Sequence, residues 1–327
     1  MRIIPMTGLR TILIIALAAL AACGTGTATD NTGGGPNIVV TTDVLGGVVE
    51  QLVGADAEVV TLMPEGADPH SFEPSARQIA EVEGADLVVA NGLGLEAGLT
   101  SVLERAAEDG VPILELAPLV DPIPFGVHGE DRDGAGDGAD ESADESADDP
   151  HFWLDPLRMA RAVEIIGDRL DETDPGGGWT TRARDRADAL RGLDAEVREI
   201  LSVVPAEDRL LATDHDAFGY FADRYGFDIV GVVVPGGSTL AEPSASDLDD
   251  LVGELEDAGV PALFVGNTAS DTLARTVADE ANGDIEIVEI ATGSLGGGTY
   301  RDLILTNARR IADALGRAQE MSDGGSS

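Results

Sequence analysis

From Asn37 onward, short apolar runs alternate with helix-length amphipathic segments. This alternation is typical of parallel strands joined by crossover helices. It occurs in two series, each with four candidate strands. The first series covers residues 38–41, 58–62, 86–90 and 113–116, with helices beginning near Leu45, Pro74 and Glu96. The second covers residues 209–212, 228–234, 262–265 and 285–290, with helices beginning near Ala217, Ser244, Asp271 and Tyr300. The pattern predicts an α/β protein of two lobes, each a four-stranded, mainly parallel sheet flanked by helices.

One long helix is predicted between the two lobes. Apolar residues recur at spacings of three and four from Ala183 to Leu201, with Arg, Asp and Glu on the opposite face. Pro205 ends this pattern, and the Asp-Pro-Gly-Gly-Gly loop over 174–178 precedes it. We therefore predict an N-terminal lobe over 37–178, a stiff connecting helix over 179–204, a C-terminal lobe over 205–318 and a disordered tail over 319–327.

The first 23 residues have the pattern of an export signal. An unbroken run over 11–22 consists mostly of Leu, Ile and Ala, and it is shorter than the roughly 20 residues that span a membrane. The sequence Leu-Ala-Ala-Cys over 20–23 resembles the lipobox of bacterial lipoproteins, in which the cysteine carries the lipid. The alternative is that Cys23 is a small residue of an ordinary signal peptide.

Cys23 is the only cysteine, so no intramolecular disulfide is possible. A segment rich in Gly, Thr and Asn over 24–36 follows it, and this composition indicates a flexible tether. We expect an extracytoplasmic protein that is lipid-anchored through Cys23 to the outer face of the cell membrane.

Acidic residues dominate the charge, with 61 Asp and Glu against 20 basic residues and a formal net charge of -41. Such a surface excludes nucleic acid as a partner. Ten of the acids lie from Glu130 to Asp149, padded with Gly, Ala and Ser, so the loop over 127–149 is predicted to be disordered. The loop has two interpretations, simple solvation or weak collection of cations through groups that include His128 and Glu130.

Three of the four histidines occur in similar turn sequences. His70 and His151 each follow Asp-Pro, and His215 lies between Asp214 and Asp216. Each histidine comes where a predicted strand has ended and a helix begins, at the strand end where open parallel sheets bind ligands. Neutral imidazole is the commonest protein ligand for a borderline transition metal. We therefore predict one metal site between the lobes, with His70, His151 and His215 as its ligands.

The acidic neighbours of these histidines have predicted supporting roles. One of Asp68, Asp149, Asp214 and Asp216 is expected to accept a ring proton opposite the metal, and the sequence does not choose among them. The pairs Glu73-Pro74 and Asp155-Pro156 are predicted helix starts. The aromatic residues that follow each histidine closely are expected to pack and dry the cleft wall; these are Phe72, Trp153 and Phe218.

The chain resembles the zinc and manganese solute-binding lipoproteins of ABC transporters over nearly everything after the tether. Besides the histidine segments, the resemblance rests on Asn-Gly-Leu-Gly-Leu-Glu over 91–96, Ala-Phe-Gly-Tyr-Phe over 217–221 running to Tyr225-Gly226, Glu-Pro-Ser over 242–244, and Thr299-Tyr300 with Asn307. The resemblance implies two α/β lobes joined by one long helix, a divalent metal as cargo between them, and a membrane permease as partner. It also implies a binding protein, which we expect to be a monomer, and not an enzyme.

The chain departs from this family where a carboxylate ligand commonly stands. Gly293 occupies the place of the Asp in an Asp-Ser-Leu stretch, Gly266 stands where relatives often have Glu, and His215 stands where manganese-type members frequently have Glu. Three nitrogens suit Zn²⁺ better than Mn²⁺, so Zn²⁺ is expected and Mn²⁺ is the alternative. The shortage of histidine in the acidic loop favours Mn²⁺, because zinc-type relatives usually have His-rich loops. Water or a loop acid is expected as the fourth ligand, and affinity is expected to fall below about pH 6.

Two other function classes stay open at this point. An exported zinc-dependent hydrolase also uses three histidines and an open position, with Glu73 or Asp216 as general base. A surface adhesin is the second, although no dedicated adhesion module is visible. Nucleotide binding is rejected, because Gly92, Gly94 and Gly98 form GxGxxxG and not the dinucleotide pattern GxGxxG.

Overall fold

The computed structural model describes residues 35–126, 148–236, 239, 243–268, 270–281 and 285–324. The predicted signal and Cys23 lie outside the described residues, as do most of the tether and most of the acidic loop with His128 and Glu130. Among the described helices, none combines the length and apolar character needed to cross a membrane.

The first sheet has four parallel strands in the order β2-β1-β3-β4. Its strands are β1 (Asn37–Val40), β2 (Glu58–Thr61), β3 (Leu87–Ala90) and β4 (Ile113–Glu115). The crossover helices are α1 (Asp43–Val53), α2 (Ala76–Glu83) and α3 (Thr100–Glu108). Strands β1 and β3 lie in the centre of the sheet, and their residues are almost all buried, as expected of a sheet covered on both faces.

The second sheet repeats this arrangement in the order β6-β5-β7-β8, again with parallel pairs. Its strands are β5 (Leu210–His215), β6 (Asp228–Val234), β7 (Ala262–Val265) and β8 (Glu286–Glu289). The helices are α6 (Gly219–Tyr225), α7 (Ala245–Ala258), α8 (Thr272–Glu280) and α9 (Tyr300–Gly324). The predicted fold class is therefore confirmed.

Two helices lie between the sheets in sequence, α4 (Pro156–Thr173) and α5 (Trp179–Leu201). Helix α5 packs against α4, α1 and α9, so it contacts helices from before and after it in the chain. It matches the start of the predicted long helix and ends before residue 204; its role as a stiff connector stays a prediction. Helix α9 continues to Gly324, beyond the predicted lobe boundary at residue 318.

Of the two predicted helix starts, one is correct and one is wrong. Asp155 caps α4 by accepting a hydrogen bond from the backbone of Leu157, with Pro156 at the first helical position. Helix α2 instead begins at Ala76, because Ser75 and Gln78 form a reciprocal capping box that the Glu73-Pro74 prediction overlooked.

Candidate metal centre

The three predicted histidines come from three different segments of the chain. His151 was expected to follow a strand directly, but the preceding strand of the sheet, β4, ends at Glu115. His70 lies in the turn between β2 and α2, and His151 lies just before the short 3-10 helix Phe152–Leu154. His215 is the last residue of β5, where it pairs with Val234. The strand was predicted to end at residue 212; it continues because Thr213 and Asp214 are buried in the sheet.

The structure brings these three side chains together. One ligand atom from each of His70, His151 and His215 lies within 4.8 Å of the other two, and all three residues are buried. Within the described residues, no other three His, Cys, Asp or Glu side chains offer ligand atoms in such a group. The rings are tilted or perpendicular to one another, with centroids 5.3 to 6.4 Å apart. Their nitrogens therefore converge on one small volume, without the stacking of parallel rings.

The closest nitrogen pair has the spacing of two ligands of one metal ion. Nε2 of His70 lies 3.3 Å from Nε2 of His151. Two nitrogens at about 2.0–2.1 Å from a tetrahedral zinc ion are about 3.3 Å apart. The donor atoms thus fit a small tetrahedral ion with little rearrangement.

Two of the four predicted carboxylates contact the rings. Oδ1 of Asp149 lies 2.8 Å from Nδ1 of His151, and Oδ1 of Asp214 lies 2.9 Å from Nδ1 of His215. Each carboxylate accepts the Nδ1 proton of the neutral ring and leaves the Nε2 lone pair for a metal. The other oxygen of Asp214 accepts from the backbone N–H of Gly266 at 2.8 Å, which fixes its orientation.

The other two carboxylates supply charge near the rings. Asp68 accepts from the backbone N–H of His70 at 3.0 Å and from the hydroxyl of Thr239 at 2.6 Å, so it orders the turn and not the ring. Asp216 is buried, and its charge acts on His151 and His215. A divalent cation at the histidines would compensate these nearby negative charges.

The protonation of the three rings differs. Burial lowers the pKa of His70 to about 3, and proximity to His151 adds to the effect. Burial likewise lowers the pKa of His151 to about 3, with a further contribution from His215. Burial also opposes the charged form of His215, but the hydrogen bond and charge of Asp214 outweigh it and raise the pKa of His215 above 6.5. At neutral pH, His70 and His151 are therefore unprotonated and available as ligands.

The aromatic residues near the histidines are packed, as the sequence suggested. The ring centroid of Trp153 lies 5.2 Å from that of His151, and the indole N–H donates to the carbonyl of Thr292 at 2.6 Å. Phe218 is buried against Phe221, and Phe72 is half-buried against the core of the first sheet. Among these three aromatics, the contact with a site histidine is made by Trp153.

The two glycine departures have different surroundings. A Cβ at Gly293 would lie 3.2 Å from Cγ2 of Thr268 and 3.7 Å from Cδ of Pro69, so this position faces the turn that carries His70. A Cβ at Gly266 would lie 2.4 Å from Oγ1 of Thr292. A Cβ at Gly293 therefore requires a shift of a few tenths of an ångström at Thr268, whereas a Cβ at Gly266 overlaps the buried side chain of Thr292.

Some residues that contact the His151 segment had no role in the sequence-based prediction. The side-chain amide of Asn91 donates to the carbonyl of Pro150 at 3.0 Å. The hydroxyls of Tyr220 and Tyr300 donate to the carbonyls of Asp149 and Trp153. The available signal was that Asn91, Tyr220 and Tyr300 all lie in the motifs that carry the family resemblance.

Comparisons with known proteins relate most of the chain to metal-binding proteins. The family profile described as "ZnuA: Zinc-uptake complex component A periplasmic" matches residues 38–314. The manganese-binding lipoprotein MntA of Halalkalibacterium halodurans is 32% identical over 312 residues, which covers 93% of this chain and 96% of the relative. The zinc-binding protein TroA of Treponema pallidum is 29% identical over 297 residues, covering 87% and 90%. The solved structure of periplasmic zinc-binding TroA from Treponema pallidum matches with a TM-score of 0.74 at 28% identity, covering 86% of this chain and 99% of that one.

Proposed function

This chain belongs to the ZnuA family of periplasmic zinc-uptake components, and from that premise we propose that it captures a divalent transition metal and delivers it to the membrane permease of an ABC transporter. The observation that carries the proposal is the convergence of three buried histidines from separate segments of the chain. His70, His151 and His215 are the proposed ligands. Relatives named as metal ABC transporter substrate-binding lipoproteins support transport as the purpose of binding.

We infer that the preferred cargo is Zn²⁺, with Mn²⁺ next. Three imidazole nitrogens are a donor set that zinc prefers, whereas manganese favours oxygen. The 3.3 Å separation of two ligand nitrogens also suits a tetrahedral ion. The named relatives include both a manganese-binding and a zinc-binding protein, so the choice rests on the donor atoms of this chain.

Capture requires no chemical step on the ion. The neutral rings of His70 and His151 replace water molecules bound to the metal. A protonated His215 must release its second ring proton before it can bind the ion. Buried carboxylates at Asp149 and Asp214 hold two of the rings and offset the positive charge of the ion. The loaded protein then docks on the permease as a monomer tethered through a lipid at Cys23.

Metal titration of the purified protein against a competing chelator tests this function. We expect one Zn²⁺ per chain and weaker binding of Mn²⁺. His215→Ala should lose at least about 100-fold in Zn²⁺ affinity because a ligand is removed, and His128→Ala, the matched control in the acidic loop, should bind like the parent. Equal losses in the two variants would move the site into that loop.

The hydrolase alternative has its own assay. The zinc-loaded protein is tested for esterase, phosphatase and carbonic anhydrase activity. Tight zinc binding without turnover supports transport. Turnover that disappears in His215→Ala would favour the enzyme.

A further inference from the structure

The main chain on both sides of His151 is held by two buried tyrosines. The hydroxyl of Tyr220 donates to the carbonyl of Asp149 at 2.7 Å. The hydroxyl of Tyr300 donates to the carbonyl of Trp153 at 2.6 Å. Both tyrosines are at most 2% exposed, and they come from α6 and α9, which flank the second sheet.

These two hydrogen bonds act on His151 through the main chain from Asp149 to Trp153, in which His151 lies. The carboxylate of Asp149 binds both the backbone N–H and the ring Nδ1 of His151, each at 2.8 Å. A shift of the Asp149 main chain therefore moves the carboxylate that orients the imidazole. The indole N–H of Trp153 adds a bond to the carbonyl of Thr292, which also belongs to the second half of the chain.

Tyr220 also lies close in sequence to another site histidine. His215 ends β5 and α6 begins at Gly219, so Tyr220 is the fifth residue after His215. The phenol thus links the segment of His151 to α6, the helix that follows the strand carrying His215. By contrast, the hydrogen bond from the side chain of Asn91 to the carbonyl of Pro150 ties the same segment to the first sheet, where Asn91 directly follows β3.

We propose that Tyr220 and Tyr300 are positioning residues that fix His151 relative to His215 through hydrogen bonds to the main chain of Asp149 and Trp153. This inference rests on the proposed function, since it assigns these tyrosines to the metal site. Burial raises the pKa of both tyrosines, so each hydroxyl keeps its proton and stays a donor at all physiological pH values.

The substitutions Tyr220→Phe and Tyr300→Phe remove only the hydroxyl. Phenylalanine at 220 keeps an aromatic ring beneath the guanidinium of Arg158, which lies 4.7 Å from the ring centroid of Tyr220. Tyr225→Phe is the matched control: Tyr225 is buried on the same helix and packs against the ring of Phe221. Thermal unfolding of the metal-free proteins checks that each variant folds. Because there are two separate variants, the test can still be made if one of them does not fold.

Three measurements are made on each protein. Zn²⁺ affinity is measured by chelator competition, and the visible spectrum of the Co²⁺ form reports the coordination geometry. Two-dimensional ¹H–¹⁵N NMR of the four histidine rings is recorded on the metal-free protein. A merely structural tyrosine would lower the unfolding temperature and leave the Co²⁺ spectrum and the ring resonances unchanged.

We expect Tyr220→Phe and Tyr300→Phe each to lose about tenfold in Zn²⁺ affinity. This is the lower limit of the loss of about 10- to 100-fold that follows when residues that orient a metal ligand are substituted. Their Co²⁺ spectra should change, and the ring resonances of His151 should move while those of His128 do not. Tyr225→Phe should match the parent in all three. The inference is overturned if both tyrosine variants bind Zn²⁺ and show spectra like the parent, or if Tyr225→Phe changes as much as they do.

The proposed function fails differently from this inference. A parent protein that binds no Zn²⁺, or a His215→Ala variant that binds like the parent, overturns the metal site and with it the role of both tyrosines. Loss of binding in His215→Ala combined with unaltered tyrosine variants overturns the positioning role alone.

Discussion

The carboxylate of Asp214 is hydrogen-bonded to the ring of His215, its neighbour at the end of β5, with Oδ1 2.9 Å from Nδ1. This contact sets His215 apart from the other two site histidines. Its pKa is raised above 6.5, whereas burial lowers the pKa of His70 and His151 to about 3. Competition between protons and metal near neutral pH is therefore concentrated on one ring.

Zinc affinity should fall by about tenfold for each pH unit below the raised pKa of His215, because one proton must leave for the metal to bind. His70 and His151 add nothing to this slope until the pH approaches 3. The decline thus begins at a higher pH than the value of about 6 expected from unperturbed histidine. Dissociation constants measured by chelator competition from about pH 5 to 9 check this; a slope of two or three protons would contradict it.

Asp214→Asn is the control for this pH dependence. Without the carboxylate charge of Asp214, burial is opposed only by the smaller effects of Asp68 and Asp216, so the pKa of His215 should fall and the decline should move to lower pH. At about pH 8 the same variant should bind zinc about 10- to 100-fold more weakly, because the partner of Nδ1 is weakened. An unchanged pH profile would show that Asp214 does not set the protonation of His215.

Acid should destabilise the metal-free protein. His70 and His151 have ordinary pKa values near 6.5 when unfolded and about 3 when folded, so the unfolded state binds more protons between these values. Stability is therefore lost as the pH falls from about 6.5 toward 3, at up to about 1.4 kcal/mol per pH unit for each histidine. Urea unfolding at several pH values measures the slope. His70→Gln should remove about half of it, and an equal slope in that variant would refute the assignment.

Gly293→Asp should add an oxygen ligand beside the histidines. The new Cβ would lie 3.2 Å from Cγ2 of Thr268 and 3.7 Å from Cδ of Pro69, and the φ of Gly293 is not positive, so a small shift of the Thr268 side chain accommodates the substitution. Because oxygen suits manganese, the ratio of Zn²⁺ to Mn²⁺ affinity should fall by at least about tenfold. Competition titration of both ions measures this ratio. Gly293→Asn, of nearly the same size but without the charge, is the control and should shift the ratio less.

Gly266→Ala should destabilise the protein, in contrast to substitution at Gly293. The new Cβ would lie 2.4 Å from Oγ1 of Thr292, whose side chain is buried and whose carbonyl accepts the bond from Trp153. We expect a loss of about 1–3 kcal/mol in the free energy of unfolding. Adding Thr292→Ala should recover part of this loss, because it removes the clashing atoms; denaturant unfolding of the single and double variants measures the coupling. Equal stability of Gly266→Ala and the parent would contradict the steric explanation.

Arg224→Ala should lower the free energy of unfolding without changing a contact of the site histidines. The guanidinium of Arg224 binds both oxygens of the buried Asp194, at 2.8 and 2.6 Å, and joins α6 to α5. Its removal leaves the more exposed Arg198, 3.3 Å away, as the remaining arginine partner of Asp194, and should cost about 1–3 kcal/mol in the free energy of unfolding. Adding Asp194→Asn should restore part of the loss, and the two variants are compared by denaturant unfolding. A negligible effect of Arg224→Ala would show that solvent already compensates Asp194.

Much of the fold and of the candidate site followed from local patterns. Apolar runs separated by amphipathic segments predicted the number of strands and their succession along the chain, because burial of both sheet faces demands that pattern. The order of the strands within each sheet came from the structure. The histidines His70, His151 and His215 were identified from their shared position after strands, where parallel sheets gather their loops. The predictions at Cys23, His128 and Glu130 stay predictions, since these residues lie outside the described part of the chain.

The partners within the site depended on tertiary structure. The sequence proposed Asp68, Asp149, Asp214 and Asp216 as equal candidates. In the folded chain, Oδ1 of Asp149 and Oδ1 of Asp214 lie within hydrogen-bonding distance of the Nδ1 atoms of His151 and His215. A pattern along the chain records which residue types alternate, and so it determined the number of strands and helices and their approximate positions. Distances between side chains from separate loops, and the burial that sets their pKa values, arise only when distant segments pack together.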